Sequence, residues 1–158
     1  MFFRKPKKEE NKPIKKEKER LNNAVFGSLV FVDFFWKGHI KNSLFGEEED
    51  INLYVYVDEE EKIIEEEQEK AYLNYIQSQK EIDEAIRNVI IKEFELSNDF
   101  DLRSRFRLYS IIVTVNGSCG IAINDNSLDA DNSHYTFVVD TEPGHELTET
   151  EEYYLYTK

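Results

Sequence analysis

Cysteine is nearly absent from the sequence, where Cys119 is the one thiol among 158 residues. A disulfide within the chain is therefore excluded, and this cysteine usage is typical of a reducing compartment. Cys119 lies in a predicted strand without a cation beside it, which indicates a small packing residue rather than an activated thiolate. We expect a cytoplasmic protein.

Long hydrophobic runs are also missing. The longest covers residues 29–36, is interrupted by Asp33, and falls far short of the ~20 residues that a membrane-spanning helix needs. The N-terminus passes from Met1-Phe2-Phe3 into charged residues rather than into the apolar core of an export signal. Neither a membrane span nor a secretory signal is predicted.

Signatures of catalysis and cofactor binding are lacking as well. There is no P-loop, no nucleotide-binding glycine fingerprint, no zinc-type cysteine or histidine pair and no nucleophile elbow, and the histidines at 39, 134 and 145 are widely separated. Residues 125–131 alternate oxygen-bearing side chains like a calcium loop but lack its glycine and closing glutamate, so they predict an Asx-rich turn. No catalytic, cofactor-binding or metal-binding residue is predicted, and no cofactor.

Carboxylates are what the chain has in excess, with 33 Asp and Glu against 20 Lys and Arg and a net charge of −13. Residues 1–22 hold nine basic and four acidic side chains, a surplus of +5, which leaves −18 on the remainder. We predict a flexible charged arm over 1–22, with a helix over 15–21 left open, and a single domain over 23–158. An acidic domain disfavours nucleic acid and attracts basic proteins, although acidity also serves solubility alone.

Hydrophobic periodicity gives the clearest structural signal in the middle of the chain. Residues 51–57 are apolar at every second position, which predicts a strand with one buried face. Residues 65–77 and 79–95 carry apolar side chains at helical spacing, and Ser78 with Glu81 fits a capping box between two helices. One bent helix remains the alternative, as does an earlier helix start at Asp58.

Strand patterns flank this middle region on both sides. Residues 24–36, a turn at Lys37-Gly38, and residues 39–45 predict, with 51–57, a three-strand meander. Asn116-Gly117 predicts a hairpin in which Val113 faces Gly120 and a helix covers Gly120 and Ala122. Residues 134–140 and 152–156 predict further strands, separated by a turn at Pro143-Gly144. The fold class expected is α+β, with two central helices on a largely antiparallel sheet of about six to seven strands.

Four aromatic side chains leave two interpretations open. They could form a recognition surface or lie in the core, and burial habits favour the core: Phe31, Phe35, Tyr54, Tyr56.

Short motifs in the middle third carry a resemblance. A Leu-Phe-Gly element at 44–46 precedes the strand, a Gln-x-x-Ala-Tyr element at 68–72 opens the helical part, and Trp36, Gly38 and Ile40 lie upstream. The chain thereby resembles a group of small bacterial proteins of unknown function, which is similar to acidic immunity or accessory proteins from toxin neighbourhoods. It departs from that group where Ile63-Ile64 replaces a Thr before the helix and where a late Trp-acidic-His-Gly segment is missing. The resemblance implies an immunity-type or accessory role and assigns no activity.

These observations predict a non-enzymatic, protein-binding module whose acidic surface attracts a protein partner, with a basic, toxin-like protein as the specific form of that expectation. The carboxylates predicted to bind that partner are Glu47, Glu48, Glu49, Asp50, Asp58, Glu59, Glu60 and Glu61. The alternative is a small metal-dependent hydrolase built from dispersed carboxylates, and a third reading is a housekeeping accessory subunit.

Overall fold

Each strand of the sheet pairs with its neighbours in the chain. The structure is a computed structural model that describes residues 17–127 and 135–150. Within those residues it contains an eight-stranded sheet in the order β1 to β8, with two helices, so the predicted α+β class is confirmed. The strands are β1 Arg20–Asn23, β2 Gly27–Val32, β3 Phe35–Asn42, β4 Glu49–Tyr56, β5 Phe106–Val113, β6 Cys119–Asp125, β7 Tyr135–Asp140 and β8 Leu147–Glu149.

The parallel pairing of β4 with β5 is the exception in an otherwise antiparallel sheet. A parallel pair needs a crossover, and the helices α1 Glu66–Gln77 and α2 Gln79–Glu93 supply it. Their apolar stripes meet one sheet face in a single core that includes Tyr75, Ile86 and Ile90 from the helices and Leu53 and Ile111 from the strands. Within the described residues neither helix is long and apolar enough to cross a membrane.

The predicted strand over 51–57 is confirmed, since Ile51, Leu53, Val55 and Val57 are all buried. Two separate helices are confirmed too, although the predicted capping box at Ser78 is wrong. Ser78 makes no side-chain cap, and it interrupts the helix through its own dihedral angles, φ −119° and ψ 23°.

The predicted turn at Lys37-Gly38 is also wrong. The chain reverses at Asp33-Phe34, where Asp33 takes φ +53°, and Gly38 lies inside β3. A Cβ at Gly38 would come within 2.8 Å of Leu29 Cδ2, so this glycine permits close packing between strands rather than a turn. The three-strand meander thus becomes a four-strand meander, in which β1 takes in Arg20–Asn23 instead of a helix.

The β5–β6 hairpin forms where predicted, but its register is displaced by one residue. Val113 faces Cys119 and Ile112 faces Gly120. Gly117 takes φ +79°, Thr114 N donates to Ser118 O at 2.9 Å, and Ser118 N donates to Thr114 Oγ1 at 3.0 Å. Thr114 and Ser118 therefore close a loop over 115–117, which holds one residue more than a two-residue turn and shifts the register by one.

This displacement exchanges the faces of β6. Cys119, Ile121 and Ile123 join the core beneath the helices, whereas Ala122 lies with Ile112 and Val138 on the opposite face. The expectation that a helix covers Gly120 and Ala122 is therefore wrong, because a shift of one residue moves every side chain of a strand to the other face.

The C-terminal part agrees with the prediction as far as it is described. β7 places Phe137 and Val139 in the core with Tyr135 packed against them, and the chain turns at Pro143-Gly144. The short strand β8 was missed, and the predicted strand over 152–156 lies outside the described residues.

Candidate functional site

The carboxylates predicted to bind a partner lie at opposite ends of β4. Residues 47–50 precede or begin this strand, and residues 58–61 follow it. An eight-residue strand spans about 23 Å at ~3.3 Å per residue, so the two groups do not converge on one point. We call residues 47–50 the Glu47 turn.

Basic side chains from other parts of the fold form ion pairs with the Glu47 turn. Arg103 Nη1 lies 2.7 Å from Glu47 Oε1, and Lys41 Nζ lies 3.4 Å from Glu48 Oε1. The hydrogen bond from Arg103, together with its positive charge, holds the pKa of Glu47 below its usual value. Much of the negative charge in this turn is thus compensated locally.

The opposite end of the sheet gathers far more uncompensated charge. Here the β2–β3 turn, the β4–α1 loop and the first turn of α1 meet. Val57 N donates to Phe34 O at 3.2 Å, and Gln68 Nε2 of α1 donates to Tyr56 O at 2.6 Å. We call this region the acidic end and define it by Phe34, Ile63 and a set of exposed carboxylates. Those carboxylates are Asp33, Asp58, Glu59, Glu60, Glu61, Glu65, Glu66 and Glu67. Within the described part of the chain, Glu66 is the one member in an ion pair, with Lys70.

Local hydrogen bonds shape the loop that carries residues 58–61. Asp58 Oδ1 accepts from Glu60 N at 2.9 Å and from Glu61 N at 3.1 Å, which is an Asx-type turn. Lys62 N donates to Asp58 O at 2.8 Å, and Lys62 takes φ +55°. Asp58 therefore closes a turn rather than beginning a helix, and the glutamates after it point to solvent.

Lys62 is the basic residue inside this loop, and its charge is paired with a residue outside the loop. Its Nζ lies 2.7 Å from Glu19 Oε1 and 4.6 Å from the centre of the Phe31 ring, a cation–π contact. Its carbonyl accepts from Trp36 Nε1 at 3.0 Å. The lysine thus fastens the loop to the residue before β1, to β2 and to β3 instead of neutralising the glutamates beside it.

Gln68 fixes the start of α1 to the sheet. Its side chain is 1% exposed, and its Nε2 donates to Tyr56 O at 2.6 Å and to Thr114 O at 2.9 Å. Its Oε1 accepts from Glu65 N at 2.9 Å, which completes the helix N-terminus. Gly117 adds a close approach, since a Cβ there would come within 2.7 Å of Glu67 Cβ. The acidic end is thus held by the backbones of β4 and of the β5–β6 turn.

Two large hydrophobic side chains are exposed among these carboxylates. Phe34 is 54% exposed at the β2–β3 turn, and Ile63 is 55% exposed in the β4–α1 loop. Sequence reasoning missed both, because it placed Phe34 within a strand and noted Ile63 only as a replacement for a Thr before the helix. A hydrophobic residue next to a turn-forming Asp or inside an acidic run was the available signal.

The four aromatic residues considered as a recognition surface do not share one face. Phe31 packs against Trp36 at 5.1 Å between ring centres, on the side of the helices. Phe35 packs against Tyr54 at 4.7 Å and Tyr56 at 5.3 Å, on the other side. All four side chains are half-buried, so they contribute to packing rather than to a single exposed patch.

A buried polar cluster near the Glu47 turn was also missed. Tyr75 of α1 donates its hydroxyl to Asp83 Oδ1 of α2 at 3.1 Å, and Asn42 of β3 donates its amide to the same hydroxyl. Burial raises the pKa of Asp83 to about 6, and it is the main cause that raises the pKa of Tyr75 far above its usual value. Asp83 lies on the apolar stripe between Ile82 and Ile86, and a carboxylate in that position was the available signal.

The remaining candidate groups are occupied by structural contacts. Burial raises the pKa of Cys119 to about 12, so its thiol stays protonated. Burial would raise the pKa of Asp125, but the two hydrogen bonds from Arg105, at 3.0 and 2.8 Å, lower it. No group of three or more His, Cys, Asp or Glu side chains that could hold a metal occurs within residues 17–127 and 135–150, and His134 lies outside them.

Comparison with known proteins adds a family and no activity. No curated protein and no solved structure matches the chain. A family profile matches residues 25–113, more than half of the chain, from just before β2 to the end of β5. That stretch contains both helices, the acidic end and the Asp83 cluster. The chain therefore belongs to the family described as Domain of unknown function (DUF6985).

Proposed function

We propose that the protein is a non-enzymatic binding module that captures a basic protein partner through the acidic end. The observation that carries this proposal is the exposure of Phe34 and Ile63 in the midst of carboxylates of which, within the described residues, Glu66 alone is ion-paired. Interfaces derive most of their affinity from a few large side chains that become fully desolvated, surrounded by a polar rim. The acidic end has that composition, and the Glu47 turn does not.

Charge and rigidity have separate roles in this proposal. The uncompensated carboxylates raise the association rate with a basic surface, an effect that weakens as salt increases. The contacts of Gln68 and Lys62 hold the loop in place, so little conformational entropy is lost when a partner binds. Fast encounter would come from Glu59, Glu60 and Glu61, and slow dissociation from Phe34 and Ile63.

The specific form of the proposal is an immunity-type protein that covers the basic active site of a toxin. It is supported by the resemblance to acidic proteins of toxin neighbourhoods and by the −18 charge of the chain beyond residue 22. Such a partner would be encoded beside this protein. Co-expression of the neighbouring product with the tagged chain tests this form directly, and failure of the two to co-purify would refute it.

Matched variants test which surface is used. Glu59→Gln with Glu60→Gln and Glu61→Gln should lower the association rate and flatten its salt dependence, measured by surface plasmon resonance at low and physiological salt. The control, Glu47→Gln with Glu48→Gln and Glu49→Gln, removes the same formal charge and should have a smaller effect. An association rate indifferent to salt, or equal effects of the two variants, would contradict the proposal.

A second pair of variants tests the apolar anchors. Phe34→Ala with Ile63→Ala should weaken binding at least about tenfold, mainly through faster dissociation. Leu73→Ala with Tyr109→Ala is the control, because both side chains are exposed hydrophobics away from the acidic end. If the control pair weakens binding as much as the first pair, the acidic end is not the interface.

A further inference from the structure

A cavity of about 510 Å³ lies beside the α1–α2 junction, at the end of the sheet opposite the acidic end. Its volume falls in the range of about 300–1,000 Å³ that is typical of small-molecule sites. Lys41 and Asn42 of β3, Gln77 of α1, and Lys80, Asp83 and Arg87 of α2 contribute to its wall. Three separate elements thus present charged and polar side chains to one space.

Asp83 is the least accessible ionisable group in that wall, with 3% exposure. The neutral hydroxyl of Tyr75 is its direct hydrogen-bond donor at 3.1 Å, and no Lys or Arg of the described residues lies within ion-pair distance. Arg87 is nearby, but its Nη1 donates to Leu44 O at 3.0 Å. Burial raises the pKa of Asp83 to about 6, and the Tyr75 hydroxyl, the charge of Arg87 and the Asn42 amide offset that effect only in part, so this buried carboxylate lacks a directly paired cation.

Positive charge lies towards the opening of the same cavity. Lys41 and Lys80 are exposed, and Lys41 is paired with Glu48 at 3.4 Å. Lys80 has no ion pair within the part of the chain that the structure describes, so its ammonium group is available to a ligand. A simple anion would be repelled by Asp83 and Glu48, and a simple amine would be repelled by the lysines and Arg87. A molecule that carries both charges is complementary to both sets.

We propose that this cavity binds a small zwitterion of the α-amino acid class. Its ammonium group donates to Asp83, its carboxylate lies at Lys80, and the exposed amide of Gln77 is available to its remaining polar atoms, whereas Gln79 Nε2 donates to Lys41 O at 3.2 Å. Ile76 supplies an apolar surface for an aliphatic side chain. The inference is independent of the proposed protein-binding role, because the two sites lie at opposite ends of the sheet.

Calorimetric titration and thermal melting test the proposal, with the twenty amino acids added singly at millimolar concentration. At least one should bind and raise the melting temperature, because a ligand of the native state stabilises it by mass action. Butylamine and propionate, which each carry one of the two charges, should bind at least about tenfold more weakly than that amino acid. Absence of binding by every amino acid, or equal binding of propionate alone, would overturn the proposal.

Variants assign the two charges. Asp83→Asn should reduce affinity for the amino acid at least about tenfold, whereas Glu84→Gln, its exposed neighbour on α2, should leave affinity unchanged. Lys80→Gln is a surface change that should weaken binding of the amino acid but not binding of butylamine. Lys92→Gln, also at the surface, is its control. Undiminished affinity in Asp83→Asn, or equal losses of amino acid and butylamine in Lys80→Gln, would contradict the assignment.

Discussion

The Glu47 turn and the acidic end look alike in the sequence, since each carries four consecutive carboxylates beside β4. In the fold they differ. Arg103, far along the chain, neutralises Glu47, and Lys41 of the paired strand neutralises Glu48. At the acidic end the nearest loop cation, Lys62, is paired with Glu19 instead. The charge that an acidic run offers to a partner therefore depends on the cations that distant segments bring to it.

The two ends also differ in how they are secured. The acidic end is fixed by a buried amide, Gln68, whose partners are neutral backbone groups. The Glu47 turn lies beside a buried carboxylate, Asp83, whose ionisation works against folding. The contribution of Gln68 at the acidic end to stability should therefore not depend on pH, whereas that of Asp83 beside the Glu47 turn should.

Gln68→Ala should have the largest effect on stability and would test the fastening of the acidic end. It leaves two backbone carbonyls and the Glu65 amide without their partner, each costing roughly 1–3 kcal/mol, so we expect a loss of about 4 kcal/mol. Urea unfolding gives the measurement, and Gln77→Ala, an exposed glutamine at the end of the same helix, is the control. A loss below about 1 kcal/mol would mean that water replaces the amide.

Asp83→Asn should have the next largest effect, and its sign depends on pH. The pKa of Asp83 is raised from 3.8 to about 6 in the folded protein, so folding is more favourable when this carboxyl is protonated. The resulting stabilisation is fully present below about pH 4. That contribution is lost as pH rises through about 6 and amounts to about 3 kcal/mol. The variant should therefore gain stability relative to the wild type by about this amount between pH 4 and pH 7.

Unfolding free energies of both proteins at several pH values provide the check for Asp83. Glu84→Gln, whose side chain is exposed, should show no such gain. If the difference in unfolding free energy between Asp83→Asn and wild type stays constant from pH 4 to pH 7, the pKa of Asp83 is not raised in the folded protein.

Arg103→Gln should have the smallest effect on stability and would sharpen the contrast in charge. The Glu47–Arg103 pair is exposed, so its removal should leave the free energy of unfolding essentially unchanged. It should, however, free Glu47 and make the Glu47 turn resemble the acidic end electrostatically. If the variant then associates faster with a basic partner, the ion pair accounts for the difference in charge between the two ends. An unchanged association rate would show that the charge of Glu47 does not contribute to the encounter.

Much of the central fold was predictable because periodicity is a repeated signal. Alternation over residues 51–57 and helical spacing over 65–95 each include many side chains, so single exceptions do not obscure them. The errors arose where one residue decided the outcome. Gly38 has the sequence signature of a turn but serves close packing, and Gly117 sets a turn with a register that Asn-Gly alone does not specify.

The candidate sites were less predictable because they depend on pairing across the fold. The partners of Glu47 and Asp83 lie on other elements, and no local pattern identifies Arg103 or Tyr75 as their neighbours. Exposure is equally nonlocal, since Phe34 became exposed once the chain turned at Asp33. Composition predicted an acidic surface, and the fold decided where that surface is available.

The seam between β4 and β5 has a consequence for the order of folding. β1–β4 and β5–β8 are each built from hairpins that can close locally, whereas the seam must bring together strands separated by residues 57–105. Closing a loop of that length costs about 3 kcal/mol of chain entropy before any seam contact forms. We therefore expect one half of the sheet, β1–β4 or β5–β8, to be formed already in the transition state. Docking of the two halves, which the helical segment connects, is then the slow step.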